Sequence, residues 1–144
     1  MNTERAAFSL ENYRFSKASL DFTQMPNPSK ISLFFNPSGE FNPSNRNFDM
    51  KFLFRAGQQI DPSTISTAIE VLVEAKFSFR DVDRLEDIPD YFYPNAIAIL
   101  FPYVRAFVST LTLQANMPAL VIPTMNLTAL KDDFKNNTKQ IESH

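Results

Sequence analysis

Apolar and polar positions alternate strictly through two stretches of this chain. Phe48, Met50, Phe52 and Phe54 alternate with Asp49, Lys51, Leu53 and Arg55. Ile69, Val71, Val73, Ala75, Phe77 and Phe79 alternate with Glu70, Leu72, Glu74, Lys76, Ser78 and Arg80. Period two predicts two amphipathic strands, each with one face on a core and the other in water. Residues 6–23 alternate less regularly: Phe8 with Leu10, then Tyr13 with Phe15, then Leu20 with Phe22. Two shifts of parity predict one long strand with two bulges or bends, ended by Pro26 and Pro28. Ile31, Leu33 and Phe35 form a further run, with Phe34 on the opposite side. Asn36-Pro37-Ser38-Gly39 and Asn42-Pro43-Ser44-Asn45 carry turn signals, which leaves Phe41 in a polar loop. Ala56 to Ser63 reads as a connection.

The pattern then changes period. From Ile97, the residues Leu100, Phe101, Val104, Val108, Leu111 and Ala115 recur at spacings of three and four, the stripe of a helix. Ile99, Tyr103, Ala106, Phe107 and Leu113 cover most of the far side, and only a strip through Arg105, Ser109 and Thr112 is polar. A helix apolar on both sides needs two covers. One sheet supplies one, so a second copy of the chain is expected to supply the other, with Tyr103, Phe107 and Leu113 at the oligomer interface. Pro102 in a helix interior would cost about 3 kcal/mol, so the helix is expected to start at Phe101 and run to Ala115, with Pro102 in its first turn. Asn116 suits a left-handed C-terminal position, and Pro118 prevents continuation. Met117 to Met125 is an apolar connector in which Pro118 and Pro123 forbid a helix. Asn126 then caps a second helix with Leu127, Leu130 and Phe134 on one face.

The expected fold class is α+β: a four-stranded antiparallel sheet, then a long helix and a shorter C-terminal helix. One domain of residues 1–144 is expected: sheet over 6–80, a crossing loop and short turn over 81–100, a helical part over 101–138, and a frayed tail over 139–144.

Composition narrows the function. The formal net charge is −2, which disfavours nucleic acid and anionic membrane surfaces, since both reward clustered Lys and Arg. There is no cysteine, so no disulfide framework or thiolate metal site is expected. The N-terminus lacks the apolar core of a signal peptide, and no membrane insertion is expected. The expected location is the cytoplasm. Fifteen Phe stand beside no Trp and 2 Gly. A core absorbs most of them, and a surplus would suit a surface for unfolded polypeptide.

Chemistry is sparse. The single histidine is His144, at the terminus, so a histidine base or triad is not expected. Two glycines make no phosphate-cradling loop. Asp81, Asp83 and Asp87 lack the glycine and the terminal glutamate of a calcium loop. No cofactor, no metal and no catalysis are expected: this is a binding protein.

Pro94-Asn95, the run Ile99-Leu100-Phe101-Pro102-Tyr103-x-Arg105, the Pro118 connector, and Pro123 with Asn126-Leu127-x-Ala129-Leu130 together resemble the SecB protein-export chaperones. The resemblance is specific from about Pro94 to Leu130, and before residue 90 it rests on strand order and length. It implies an ATP-independent holdase that keeps preproteins export-competent, a homotetramer built as a dimer of dimers, and the SecA motor as a partner. For motor docking it implies acidic positions on the outer sheet face, of which Asp21 would occupy one. The tail KNNTKQIESH departs from the family in being short and not strongly acidic. Client contact is expected from Phe34, Phe41, Leu120, Ile122, Met125, Leu127, Leu130 and Phe134. Two alternatives stand beside export: a SecB-like chaperone shielding the antitoxin of a toxin–antitoxin system, and a structural oligomer without clients.

Overall fold

The computed structural model describes residues 7–24 and 30–141. Strands β1 (Phe8–Leu20), β2 (Ser32–Asn42), β3 (Asn47–Asp61) and β4 (Thr64–Phe79) are followed by helix α1 (Phe92–Gln114), helix α2 (Leu130–Asn136) and strand β5 (Thr138–Gln140). The sheet order is β1-β4-β3-β2-β5. The first four strands pair antiparallel, and β5 joins β2 in parallel. The α+β architecture expected from the hydropathy pattern is present, with one strand more.

The two parity shifts of the first strand are real. The β1–β4 register slips between Leu10 and Asn12 and again between Phe15 and Lys17. Each slip inserts a residue without a partner, which returns the apolar side chains to the inner face. Pro26 and Pro28, expected to end that strand, lie outside the described residues.

Helices α1 and α2 cover one face of the sheet. Ile97, Leu100, Val104 and Val108 are fully buried, as are Phe48, Val71, Val73 and Phe77 of the inner sheet face. At one end Phe92 is surrounded by rings: Phe8, Phe48, Phe77 and Phe79 all have centroids within 5.4 Å of its own. Edge-on contacts of this kind add to the apolar area that Phe buries without any polar atom to satisfy. Much of the phenylalanine count is spent here. The two glycines also serve packing. A Cβ on Gly39 would lie 2.3 Å from the Phe48 ring, and one on Gly57 would lie 2.0 Å from the Ser66 carbonyl oxygen.

Four expectations need correction. First, Asn36 to Gly39 is not a turn: β2 continues through it in unbroken register with β3. Leu33, Phe35, Pro37, Gly39 and Phe41 keep one parity, and Phe41 is fully buried against Phe79. The turn residues are tolerated because β5 pairs this edge only at Gly39–Phe41, so no ladder bond is lost at Pro37. The second turn signal does make a turn, closed by the Arg46 amide on the Asn42 carbonyl at 2.9 Å. Second, Ala56 to Ser63 is mostly strand, and β3 and β4 meet in a tight hairpin where Asp61 pairs with Thr64. Third, α1 begins at Phe92, nine residues before the expected start. Pro94 is its first-turn proline, and Pro102 sits inside. Pro102 and Ala98 are both exposed, so water can serve the carbonyl that loses its donor. Fourth, residues 138–140 are β5, and Ile141 donates to Phe41 at 2.8 Å. Residues 142–144 lie outside the described part.

One further expectation shifts. At 23 residues, α1 is long and apolar enough to cross a membrane by length and composition. Here its Ile97 face is closed on the sheet, and Ala98, Pro102, Tyr103, Ala106 and Leu113 are exposed.

Candidate functional site

The connector between the helices is built onto α1. The helix ends with Asn116 at φ 62, a left-handed residue that lets the Met117 amide reach back to the Thr112 carbonyl at 3.1 Å. Thr112, almost fully buried, then uses its side chain twice. Its hydroxyl lies 3.1 Å from the Val108 carbonyl, and it accepts from the Leu120 amide at 2.9 Å. About two turns earlier, Arg105 Nε donates to the Ile122 carbonyl at 2.8 Å, with its guanidinium 5.8 Å from the Phe101 ring centre. The polar strip of α1 is therefore the bracket that holds the connector, not a solvated stripe.

Fixing the backbone at Leu120 and Ile122 sets the side chains. Ile122 is 1% exposed and Leu120 half-buried, while Val121 between them is 67% exposed. Met125 is exposed, and the Asn126 side chain accepts from the Thr128 amide at 3.0 Å to start the 3-10 turn Leu127–Ala129. Leu127 and Leu130 are half-buried against the core. The result is an apolar ridge: Leu120, Val121, Met125, Leu127 and Leu130, each partly open to solvent.

The structure divides the eight expected client residues. Leu120, Met125, Leu127 and Leu130 lie on or beside this ridge. Ile122 shares its backbone but is closed. Phe41 and Phe134 are fully buried, and Phe134 packs against Phe48 and Tyr93 at 5.7 and 5.2 Å. Phe34 is elsewhere: it pairs with Arg55, and its neighbour Phe35 faces Phe54 at 5.2 Å, so Phe34 is on the outer sheet face. Val121 was missed because alternation within an irregular segment has no ladder to anchor its parity.

The three expected interface residues also separate. Phe107 stacks on Phe15 at 4.0 Å, and Tyr103 on Tyr13 at 4.4 Å. Leu113 is 58% exposed. The carboxylates weighed for calcium are dispersed: Asp83 pairs with Arg46 at 2.7 Å and Asp87 with Arg84 at 3.6 Å. The outer sheet face is of mixed charge, with Lys17 on Glu70 at 2.6 Å and Arg14 near Glu74 at 3.9 Å. Asp21, beyond the end of β1, accepts from the Thr23 amide at 3.1 Å and from the Thr23 hydroxyl.

Comparison with solved structures bears on the fold. The Mycobacterium tuberculosis Rv1957 SecB-like chaperone, solved in complex with a ChAD peptide from the Rv1956 HigA1 antitoxin, superposes with a TM-score of 0.64. The match covers 83% of this chain and 92% of that one, at 19% sequence identity. The fold is SecB-like. Within the SecB-like fold, the sheet, the long helix, the bracketed connector and the second helix follow the order that the motif run implied, but Asn126 caps the 3-10 turn Leu127–Ala129 and the second helix starts only at Leu130, without a side-chain cap. Among curated proteins, the uncharacterized protein MJ0357 of Methanocaldococcus jannaschii is 28% identical over 131 residues, 88% of this chain and 83% of that protein. No protein-family model matches the chain.

Proposed function

We propose that this protein is a holdase chaperone that binds extended, non-native polypeptide through the connector ridge, without nucleotide, and that it serves a dedicated client such as an antitoxin. The observation that carries the reading is the bracketed connector. Ordinary apolar loops fold into a core or cost solvation. This one is held open by Arg105 and Thr112, with Val121 at 67% exposure. Burial of such surface by a client gains about 25 cal/mol per Å², and several protomers on one long client would multiply weak contacts.

The similarity in fold to a SecB-like chaperone holding an antitoxin peptide supports a dedicated client over a general export role. The outer sheet face supports it too, since Lys17 and Arg14 offset Glu70 and Glu74 where an export motor would favour an acidic surface. Assembly into a homotetramer in the cytoplasm belongs to the same reading, with the exposed side of α1 and the free edge of β1 as the surfaces to be covered. The test is suppression of aggregation of an unfolded client, with and without nucleotide, for the wild type and for Val121→Asp. Loss of suppression in a variant that melts normally is expected. Full activity in that variant would remove the ridge from the function.

A further inference from the structure

The paired part of β2's outer edge fixes which backbone groups point away from β3. The Gly39 amide donates to the Asn137 carbonyl at 3.2 Å, and the Phe41 carbonyl accepts from the Ile141 amide at 2.8 Å. Successive residues of a strand alternate between its two edges, so odd-numbered residues of β2 face outward. The β2–β3 register runs from Ser32 to Asn42 without a slip, and the alternation therefore extends to Leu33 and Phe35. Their two amides and two carbonyls point off the sheet. β5 reaches only to Gly39. Pro37 has no amide, and its carbonyl lies 3.5 Å from the Asn137 side-chain nitrogen. Among the described residues, no backbone group stands opposite Leu33 or Phe35 on this edge.

We propose that this open stretch receives a short extended segment of the client as an added strand, in line with β5. The inference rests on the polypeptide-binding reading above and states how the client backbone is held. Three features select the occupant. The chain's own β5 already pairs with this edge, so a strand fits there sterically. Leu33, Phe34 and Phe35 are all half-buried, which offers apolar contact on both faces of an incoming strand. On the inner face Phe35 meets Phe101 at 5.8 Å, and Phe101 carries the Arg105 guanidinium that holds the connector. The edge thus runs toward the ridge.

Pro37 and the adjacent β5 limit the site to about five client residues, of which alternate ones bond. A second copy of this chain would find a longer free edge in β1, 13 residues long, which leaves β2 to a partner polypeptide. Backbone pairing asks only that the client be extended, with apolar side chains at alternate positions. Folded proteins do not offer this.

The probe is a capped heptapeptide in which Leu and Phe alternate with Thr, followed by fluorescence anisotropy on the full chain. N-methylation of the peptide at one alternate set of amides is expected to weaken binding about tenfold, and of the other set less than about twofold, because only one set faces the edge. Leu33→Pro removes an outward amide and leaves the β3 ladder intact, and is expected to weaken binding by about the same factor. Hydrogen exchange provides the independent readout: peptide should protect the amides of Leu33 and Phe35 and leave Phe34, already bonded to β3, unchanged. Binding that is equally indifferent to both N-methyl sets and to Leu33→Pro overturns the added strand while the ridge reading stands. Loss of oligomerisation in Leu33→Pro with peptide binding intact overturns it in favour of contact between copies. No binding of the peptide together with no suppression of client aggregation overturns both readings.

Discussion

Arg105 Nε lies 2.8 Å from the Ile122 carbonyl oxygen, and this bond, with Leu120 on Thr112, places the connector. The bond is charge-assisted and half-buried, so its loss leaves a carbonyl unsatisfied and frees one end of the ridge. Arg105→Ala is expected to cost about 1.5–3 kcal/mol and to raise the exchange rates of amides around Leu120 to Ile122 above those of the sheet. Denaturant unfolding and hydrogen exchange check the two parts. Unchanged exchange in the connector would show that packing of Ile122 alone holds it.

Phe41 and Leu120 are expected to respond differently to the same change. Phe41 is fully buried, and large-to-small truncation of such a ring costs about 3–5 kcal/mol. Leu120 is half-buried, and its loss is expected to cost less than about 2 kcal/mol. Phe41→Ser should therefore melt much earlier than Leu120→Ser. In an aggregation assay below both melting points, Leu120→Ser should be the weaker chaperone. The reverse ranking would place the client groove at the β2–β5 edge.

Most of the sheet was legible in the sequence because a strand with one wet face must alternate. Even the two bulges of β1 showed, as changes of parity at Leu10 and Phe15. What failed was punctuation. Asn36-Pro37-Ser38-Gly39 has the composition of a turn, yet Pro37 costs nothing on an edge that β5 does not reach, and Gly39 is there to admit the Phe48 ring. Local residue types cannot reveal which strand ends up at an edge. The start of α1 failed for a related reason: the first-turn rule for proline is sound, but Pro94 satisfied it, and Pro102 survives on the exposed side. The ridge was legible as an apolar, proline-bounded stretch. Its bracket was not, because Arg105 and Thr112 read only as part of a narrow polar strip until the connector is laid across them.

Tyr93 offers a test of the α1–α2 contact by pH. Burial, with a smaller contribution from the charge of Asp90, raises its phenol from the ordinary 10.0 to about 12. The unfolded chain ionises this group first. The stabilisation is therefore complete below pH 10 and is lost as pH rises toward 12. Alkaline unfolding is expected in that window, and Tyr93→Phe should move its onset upward. An onset unaltered by the substitution would assign the alkaline limb to other groups.

Assembly can be tested by choosing between two apolar residues on α1. Leu113 is 58% exposed in the single chain, so the protomer depends little on its side chain. Phe107 lies flat on Phe15 at 4.0 Å, so it ties α1 to the edge strand of the same protomer. If the exposed side of α1 meets another copy, Leu113→Asp buries an unpaired charge in that contact, a cost of several kcal/mol. The expected outcome is dissociation by light scattering at micromolar concentration, with the far-ultraviolet spectrum of the sheet retained. Phe107→Asp is expected to dissociate the assembly and also to lower the stability of the protomer, since it breaks a stack within the chain. An oligomer that survives Leu113→Asp would leave the free edge of β1 as the surface that holds the copies together.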